Sequence, residues 1–145
     1  KNMSPDEAKI LMFLATADEQ PLIDVHARKD SSYIVVFRNF SFIGIYASCE
    51  YKQLTPNYLD NLSRLGLIEI ENGKYIVDPD DDSKIKSEAK VYKRLETDVQ
   101  LDEIKHQITI MGDGHIIGFE KKVLSLTDLG KQFCNACVID KNLQN

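Results

Sequence analysis

The 145-residue chain has no tryptophan, three cysteines and four prolines, and none of its apolar runs approaches the roughly 18 residues that a membrane-spanning helix needs. Its start does not have the basic, then apolar, then small-residue order of a signal peptide. An odd number of cysteines argues against a disulfide framework and for a reducing, cytoplasmic compartment. Basic residues are outnumbered, 18 against 23 acidic, giving a net charge of −5. An acidic chain approaches nucleic acid only through a locally basic face, because affinity for DNA comes mostly from Lys and Arg neutralising phosphates.

What is present describes one soluble domain, 1–145, with 43% apolar and 28% charged residues. At this size folding buries about two-thirds of the surface of the unfolded chain, so the core needs no metal or disulfide staple. The chain opens at Lys1 and goes almost at once into a helix-start signal, which reads as the C-terminal part of a longer protein.

Ser4-Pro5-Asp6-Glu7 supplies a capping serine, a proline at the first helical position and a glutamate that can reach back. With Ala8, Leu11, Leu14 and Ala15 at helical spacing, it predicts a helix from Pro5 to about Ala17. Leu22–Val25 and Tyr33–Phe37 are β-prone runs flanking a polar stretch, hence a small hairpin. Asn39 or Ser41 is placed to cap a second helix through Phe42, Ile43, Tyr46 and Cys49. Thr55-Pro56 starts a third in the same way, with Leu59, Leu62 and Leu65 inward and Gly66 ending it in a left-handed cap.

A strand, Leu67–Ile70, and a turn, Glu71–Lys74, lead to a short strand at Tyr75–Val77 and an acidic run at 78–82. Asp82 or Ser83 then caps a fourth helix with Ile85, Ala89, Tyr92, Leu95 and Val99 inward. Gln107–Met111 and Ile116–Phe119 flank Gly112-Asp113-Gly114, a hairpin signal. Val123–Leu126 is a further strand, and Thr127 caps a last helix with Leu129, Phe133, Ala136 and Cys137 inward, fraying after Asp140.

A helix-turn-helix followed by a strand pair gives an α+β, winged-helix-like plan: a small antiparallel sheet pairing Leu67–Ile70 with Val123–Leu126, and an enlarged wing over about 71–120. Two segments are similar to stretches of bacterial winged-helix regulators: Asn61-Leu62-Ser63-Arg64-Leu65-Gly66-Leu67-Ile68, and Leu124-Ser125-Leu126-Thr127-Asp128-Leu129-Gly130-Lys131-Gln132-Phe133. Together with Ser4–Lys9, Pro21–Val25, Asn39–Gly44 and Leu129–Val138, the first of them also resembles the abortive infection alpha family, bacterial proteins associated by name with phage defence. That resemblance implies a defence-associated or uncharacterised bacterial protein and brings no catalytic residues to carry over.

Cys134-Asn135-Ala136-Cys137 has the C-x-x-C spacing of redox or zinc sites, but zinc would need two more ligands and a redox pair normally opens a helix. Two such cysteines on an inward face read instead as small buried apolar residues. His26, His106 and His115 share no motif with each other or with a carboxylate and read as isolated surface residues. Gly112–Gly114 is too short for a phosphate loop, and Asp78–Asp82 lacks the alternation, glycine and terminal glutamate of a calcium loop. No nucleophile, base and oxyanion donor can be assembled. The expectation is a non-catalytic chain without cofactor or metal and without membrane contact.

A DNA reader would use the third helix in the major groove, with Asn57, Tyr58, Asn61 and Arg64 outward. Charges from Glu50 to Gly66 sum to zero, which is poor for approaching phosphates. Between Ser83 and Arg94 the basic residues Lys84, Lys86, Lys90, Lys93 and Arg94 face one acid, Glu88, giving +4. These five, beside Lys121 and Lys122, are the phosphate candidates, although charge runs are more often solvated helix faces. The favoured expectation is therefore an interaction module whose enlarged wing, or an exposed aromatic surface of Tyr46, Tyr51 and Tyr58, meets a protein partner or another copy. A winged-helix DNA-binding regulator is the alternative.

Overall fold

A computed structural model describes residues 3–17, 19–76, 84–112 and 114–144, with backbone only for 84–89 and 138–144. Six helices, α1 (Pro5–Thr16), α2 (Ile43–Tyr46), α3 (Thr55–Arg64), α4 (Lys84–Glu96), α5 (Asp102–Ile110) and α6 (Asp128–Gln144), accompany four strands, β1 (Gln20–Lys29), β2 (Ser32–Phe40), β3 (Ile68–Asn72) and β4 (Ile116–Leu126). The strands form one sheet in the order β2-β1-β4-β3, so the architecture is α+β with an antiparallel sheet. The acidic run at 78–82, the caps Asp82 and Ser83, Val77 and Asp113 lie outside the described residues.

The chain divides into two compact units, the first made of Lys1–Gln20, Phe42–Ile70 and Leu124–Asn145, the second of Pro21–Ser41 and Glu71–Val123.

In the first unit α1 packs against α2, α3 and α6. The capping box forms as the sequence predicts: Glu7 N donates to Ser4 Oγ at 3.2 Å and Ser4 N to Glu7 Oε1 at 2.8 Å. Ile10, Leu11 and Leu14 of α1 and Leu59 and Leu62 of α3 are buried where the two helices pack. Each such buried side chain contributes about 2 kcal/mol. Gly66 takes the left-handed conformation that ends α3, φ 78°.

The end of α3 and the start of α6 interlock. Thr127 Oγ1 accepts from Gly130 N at 3.0 Å, capping α6, and donates to Gly66 O at 2.6 Å, while Thr127 N donates to Leu67 O at 3.1 Å. A Cβ on Gly130 would overlap the Leu67 carbonyl, so this crossing requires glycine.

Four expectations in this unit are corrected. Thr55 is the first residue of α3 rather than its cap; a 3-10 turn, Lys52–Leu54, precedes it, and its hydroxyl donates to Lys52 O at 2.6 Å. The second helix is a single turn, capped by neither Asn39 nor Ser41. In α6, Leu129, Phe133, Ala136 and Cys137 are exposed; among its described side chains the inward positions are Gly130 and Cys134. The cause is close packing: Gly130 lies on the Leu67 backbone and Cys134 Sγ is 3.5 Å from Leu11 O, and only small side chains fit there. The helix also runs to Gln144 rather than fraying after Asp140.

In the second unit β1 and β2 form the predicted antiparallel hairpin, turning at Asp30-Ser31 with Lys29 opposite Ser32. Asn39 sits in β2 at φ 59°, and its backbone N–H donates to Asp24 Oδ1 at 2.9 Å. Lys122 of β4 closes the group, its Nζ 2.8 Å from Asp24 Oδ2 and 3.0 Å from Asn39 Oδ1. These three residues are buried, and they tie the three strands together where the β1–β2 register shifts. Tyr92 of α4 is wholly buried, its hydroxyl donating to Lys122 O at 2.8 Å and accepting from Ile76 N at 3.1 Å.

The hairpin predicted over Gln107–Phe119 is replaced by α5 and the long β4. Asp98 accepts from Gln100 N at 2.9 Å and sets a 3-10 turn that leads into α5; Asp102 and Glu103 fill its first turn, where carboxylates favour the helix dipole. Gln107 Nε2 donates to Glu103 Oε2 at 2.7 Å one turn away. The strand expected at Tyr75–Val77 is not a strand at Tyr75 and Ile76, and Val99 lies exposed beyond α4 rather than inward. His26, read as a surface residue, is buried against Gly118 and the ring of Tyr33.

Candidate interaction surface

The surface that the sequence offered to DNA is built from the first turn of α1 upward. Asp6, kept at the helix start by Ser4-Pro5, turns its carboxylate toward the connection between α2 and α3. Oδ1 accepts from Glu50 N at 2.8 Å; Oδ2 accepts from Tyr51 N at 2.9 Å and from the Tyr58 hydroxyl at 2.9 Å. Chiefly the Tyr51 N–H, joined by those of Glu50 and the Tyr58 hydroxyl, holds the Asp6 carboxyl below its usual range, against the opposing effect of burial. Burial first, and then the bond to Asp6, push the Tyr58 phenol up to about 12. The adjacent Cys49 thiol is raised by burial and by the Asp6 charge.

Glu7 extends the same contact one turn along α3, its Oε2 accepting from Asn61 Nδ2 at 3.0 Å. Of the four residues expected to face outward from α3, Tyr58 is therefore buried and Asn61 is turned to α1, where it also bonds the Arg64 guanidinium. Asn57 and Arg64 remain exposed. Lys90, Lys93 and Arg94 are exposed on α4, in the second unit, whereas Lys84 and Lys86 have no described side chains and Lys122, expected beside them, is instead buried on the Asp24 carboxylate. Sequence reasoning missed the inward turn of Tyr58 and Asn61. The signal for it was Asp6-Glu7, read only as a helix-start pair.

What the first unit does expose is aromatic and apolar. Tyr46 stands half exposed at the end of α2, its ring 5.9 Å from that of Phe13 and 6.2 Å from that of Phe42. Beside it a shallow hollow of about 460 Å³ is lined by Ala8, Lys9, Met12, Phe13, Tyr46 and Ala47. Tyr51 and Leu54, in the turn before α3, are also exposed. Tyrosine, phenylalanine and methionine around an apolar hollow are residue types enriched in protein-binding patches.

A second hollow of about 470 Å³ is lined by Leu14, Ala15, Ala17, Glu19, Ser125, Leu126, Lys131, Cys134 and Asn135. Its Cys134 thiol is raised by burial, which weakens it as a nucleophile. The two cysteines of the C-x-x-C do not share one environment: Cys134 is buried and Cys137 exposed, both as free thiols. They lie within α6 rather than at its start. Among the described residues no group of three His, Cys, Asp or Glu side chains could hold a metal ion, and no helix is long and apolar enough to cross a membrane.

The α+β fold is similar to that of a solved structure, an uncharacterized protein from the hydrocarbon-degrading marine bacterium Alcanivorax borkumensis SK2. The two chains are 20% identical, and the similarity covers 90% of this chain and 83% of that one with a TM-score of 0.54. Residues 1–137 match the abortive infection alpha family, and the chain belongs to it. No curated protein matches the chain.

Proposed function

We propose that this chain is a non-catalytic, winged-helix-like interaction module of a cytoplasmic bacterial protein linked to abortive infection. In this reading α1, α2 and α3 are a packing scaffold, and the face around Tyr46 meets a protein partner. The observation that carries it is the fixing of α3 to α1 through Asp6–Tyr58 and Glu7–Asn61, which takes two side chains from the surface a major-groove reader would use. The exposed Tyr46, Met12, Tyr51 and Leu54 support a protein contact on the same unit. Membership of the abortive infection alpha family supports the link to phage defence.

The test is a phage challenge of cells carrying the full protein or single variants. Tyr46→Glu is expected to abolish protection while leaving the thermal melt unchanged, and Arg64→Ala is expected to keep protection. Loss of protection with Arg64→Ala and retention with Tyr46→Glu would overturn the reading in favour of a DNA-binding regulator.

A further inference from the structure

The hollow of about 470 Å³ formed by the end of α1, the end of β4 and the first turns of α6 lies within the first unit and shares no residue with the one at Tyr46. Its room comes from small side chains, Ala15 and Ala17 after the apolar stripe of α1 and Cys134 on α6. Leu14 and Cys134 are buried there and Leu126 is half-buried, so one part of the lining is apolar.

The other part is polar and carries both signs of charge. Glu19, between α1 and β1, contributes a carboxylate. Lys131 and Asn135, one turn apart on one face of α6, contribute an ammonium and an amide, and Ser125 adds a hydroxyl. Among the described residues none of these four side chains makes a hydrogen bond or ion pair, so Glu19 and Lys131 share the hollow without pairing with each other. The end of α1 reinforces the acidic pole: the helix stops at Thr16 with no basic residue in its last turn, which leaves the negative end of its dipole beside Ala15 and Ala17.

We propose that this hollow binds a free amino acid with an apolar side chain: its ammonium against Glu19 and the end of α1, its carboxylate against Lys131 and Asn135, its side chain against Leu14, Leu126 and Cys134. Charge selects the class. Water solvates Glu19 and Lys131 separately, so a ligand gains only by offering partners to both. A phosphate would meet one cation and be repelled by Glu19, and a simple cation would be repelled by Lys131. A neutral apolar molecule would strip water from both charges and replace it at neither, which costs free energy. A zwitterion matches both poles and leaves no charge in excess.

Size agrees with charge. Clefts for small molecules run from roughly 300 to 1,000 Å³, and this one stands toward the lower end. Cys134 takes no covalent part, because burial raises its thiol and Sγ donates to Leu11 O at 3.5 Å. The site is independent of the protein contact at Tyr46, and either can fail without the other.

Titration of the full chain with L-leucine, followed by amide NMR shifts, is expected to saturate with a dissociation constant on the order of 1 mM. Leucinamide, which lacks the carboxylate, and isocaproate, which lacks the ammonium, are each expected to bind about tenfold more weakly. Glu19→Gln and Lys131→Met are each expected to weaken L-leucine binding about tenfold and to leave the thermal melt unchanged, since both side chains are exposed. Ala15→Phe fills the hollow from an exposed position and is expected to abolish binding. No saturation by L-leucine at about 10 mM, equal binding of either analogue, indifference to Glu19→Gln or to Lys131→Met, or retained binding in Ala15→Phe would each overturn the proposal.

Discussion

The phenol of Tyr58 donates to the Asp6 carboxylate at 2.9 Å, joining the third helix to the first turn of the first. Because the same carboxylate also takes the backbone N–H groups of Glu50 and Tyr51, one side chain fixes both the start of α3 and the connection leading into it. The helix that a DNA reader would present is thereby anchored from behind and along part of its length.

This contact makes stability depend on pH at both ends. The Asp6 carboxyl titrates below its ordinary value of 3.8 when folded, so its contribution is present above that value and lost as pH falls through the folded pKa. Tyr58 is raised from 10.0 to about 12, so its contribution is complete below pH 10 and lost as pH rises toward 12. Thermal melts across pH should show Asp6→Asn flattening the acid limb and Tyr58→Phe the alkaline limb. Unchanged limbs in both variants would show that the bond does not form in solution.

The interlock between Gly130 and Leu67 predicts a steric cost. Gly130→Ala forces a methyl against the Leu67 carbonyl and should destabilise by about 1–3 kcal/mol. Thr127→Val removes the α6 cap and the bond to Gly66 and should cost about 1–2 kcal/mol. Urea denaturation measures both, and Gly73→Ala, whose added Cβ meets nothing within 4 Å, separates the strain of a positive φ from overlap.

The buried pair of Asp24 and Lys122 predicts asymmetry between variants. Lys122→Ala leaves the Asp24 carboxylate buried without its cation and should cost about 3–5 kcal/mol, whereas the double variant Asp24→Leu, Lys122→Met should cost less. Denaturant midpoints of the two decide it: equal losses would mean that the pair is not buried as a pair.

Thiol labelling tests the correction to the C-x-x-C. Exposed Cys137 should react first near neutral pH, with Cys49 and Cys134, buried and raised by burial, slower by about one to two orders of magnitude. Equal rates for Cys134 and Cys137 would contradict their separate environments.

Local chemistry was legible where one short segment decides the outcome. The capping box at Ser4 and Glu7, the hairpin around Asp30, the left-handed Gly66 and the Thr127 cap all rest on neighbours within a few residues. Ile104, Ile108 and Met111 fit a helix stripe, but Ile108, Ile110 and the following glycines also fit alternating strand and turn, and the carboxylates of Asp98, Asp102 and Glu103 settled it as a helix. The inward face of α6 departs from the rule that large apolar residues are buried. Close approach to Leu67 and Leu11 selected Gly130 and Cys134 instead. The Asp24–Lys122 pair and the Asp6–Tyr58 bond join residues far apart in sequence, and no spacing rule reaches them.

The most direct test of α3 as scaffold rather than reader is titration of labelled duplex DNA with the full chain at low salt, followed by fluorescence anisotropy. The account predicts a flat titration for the wild type and for Arg64→Ala alike. Saturable binding that weakens steeply with added salt and is lost in Arg64→Ala would contradict it.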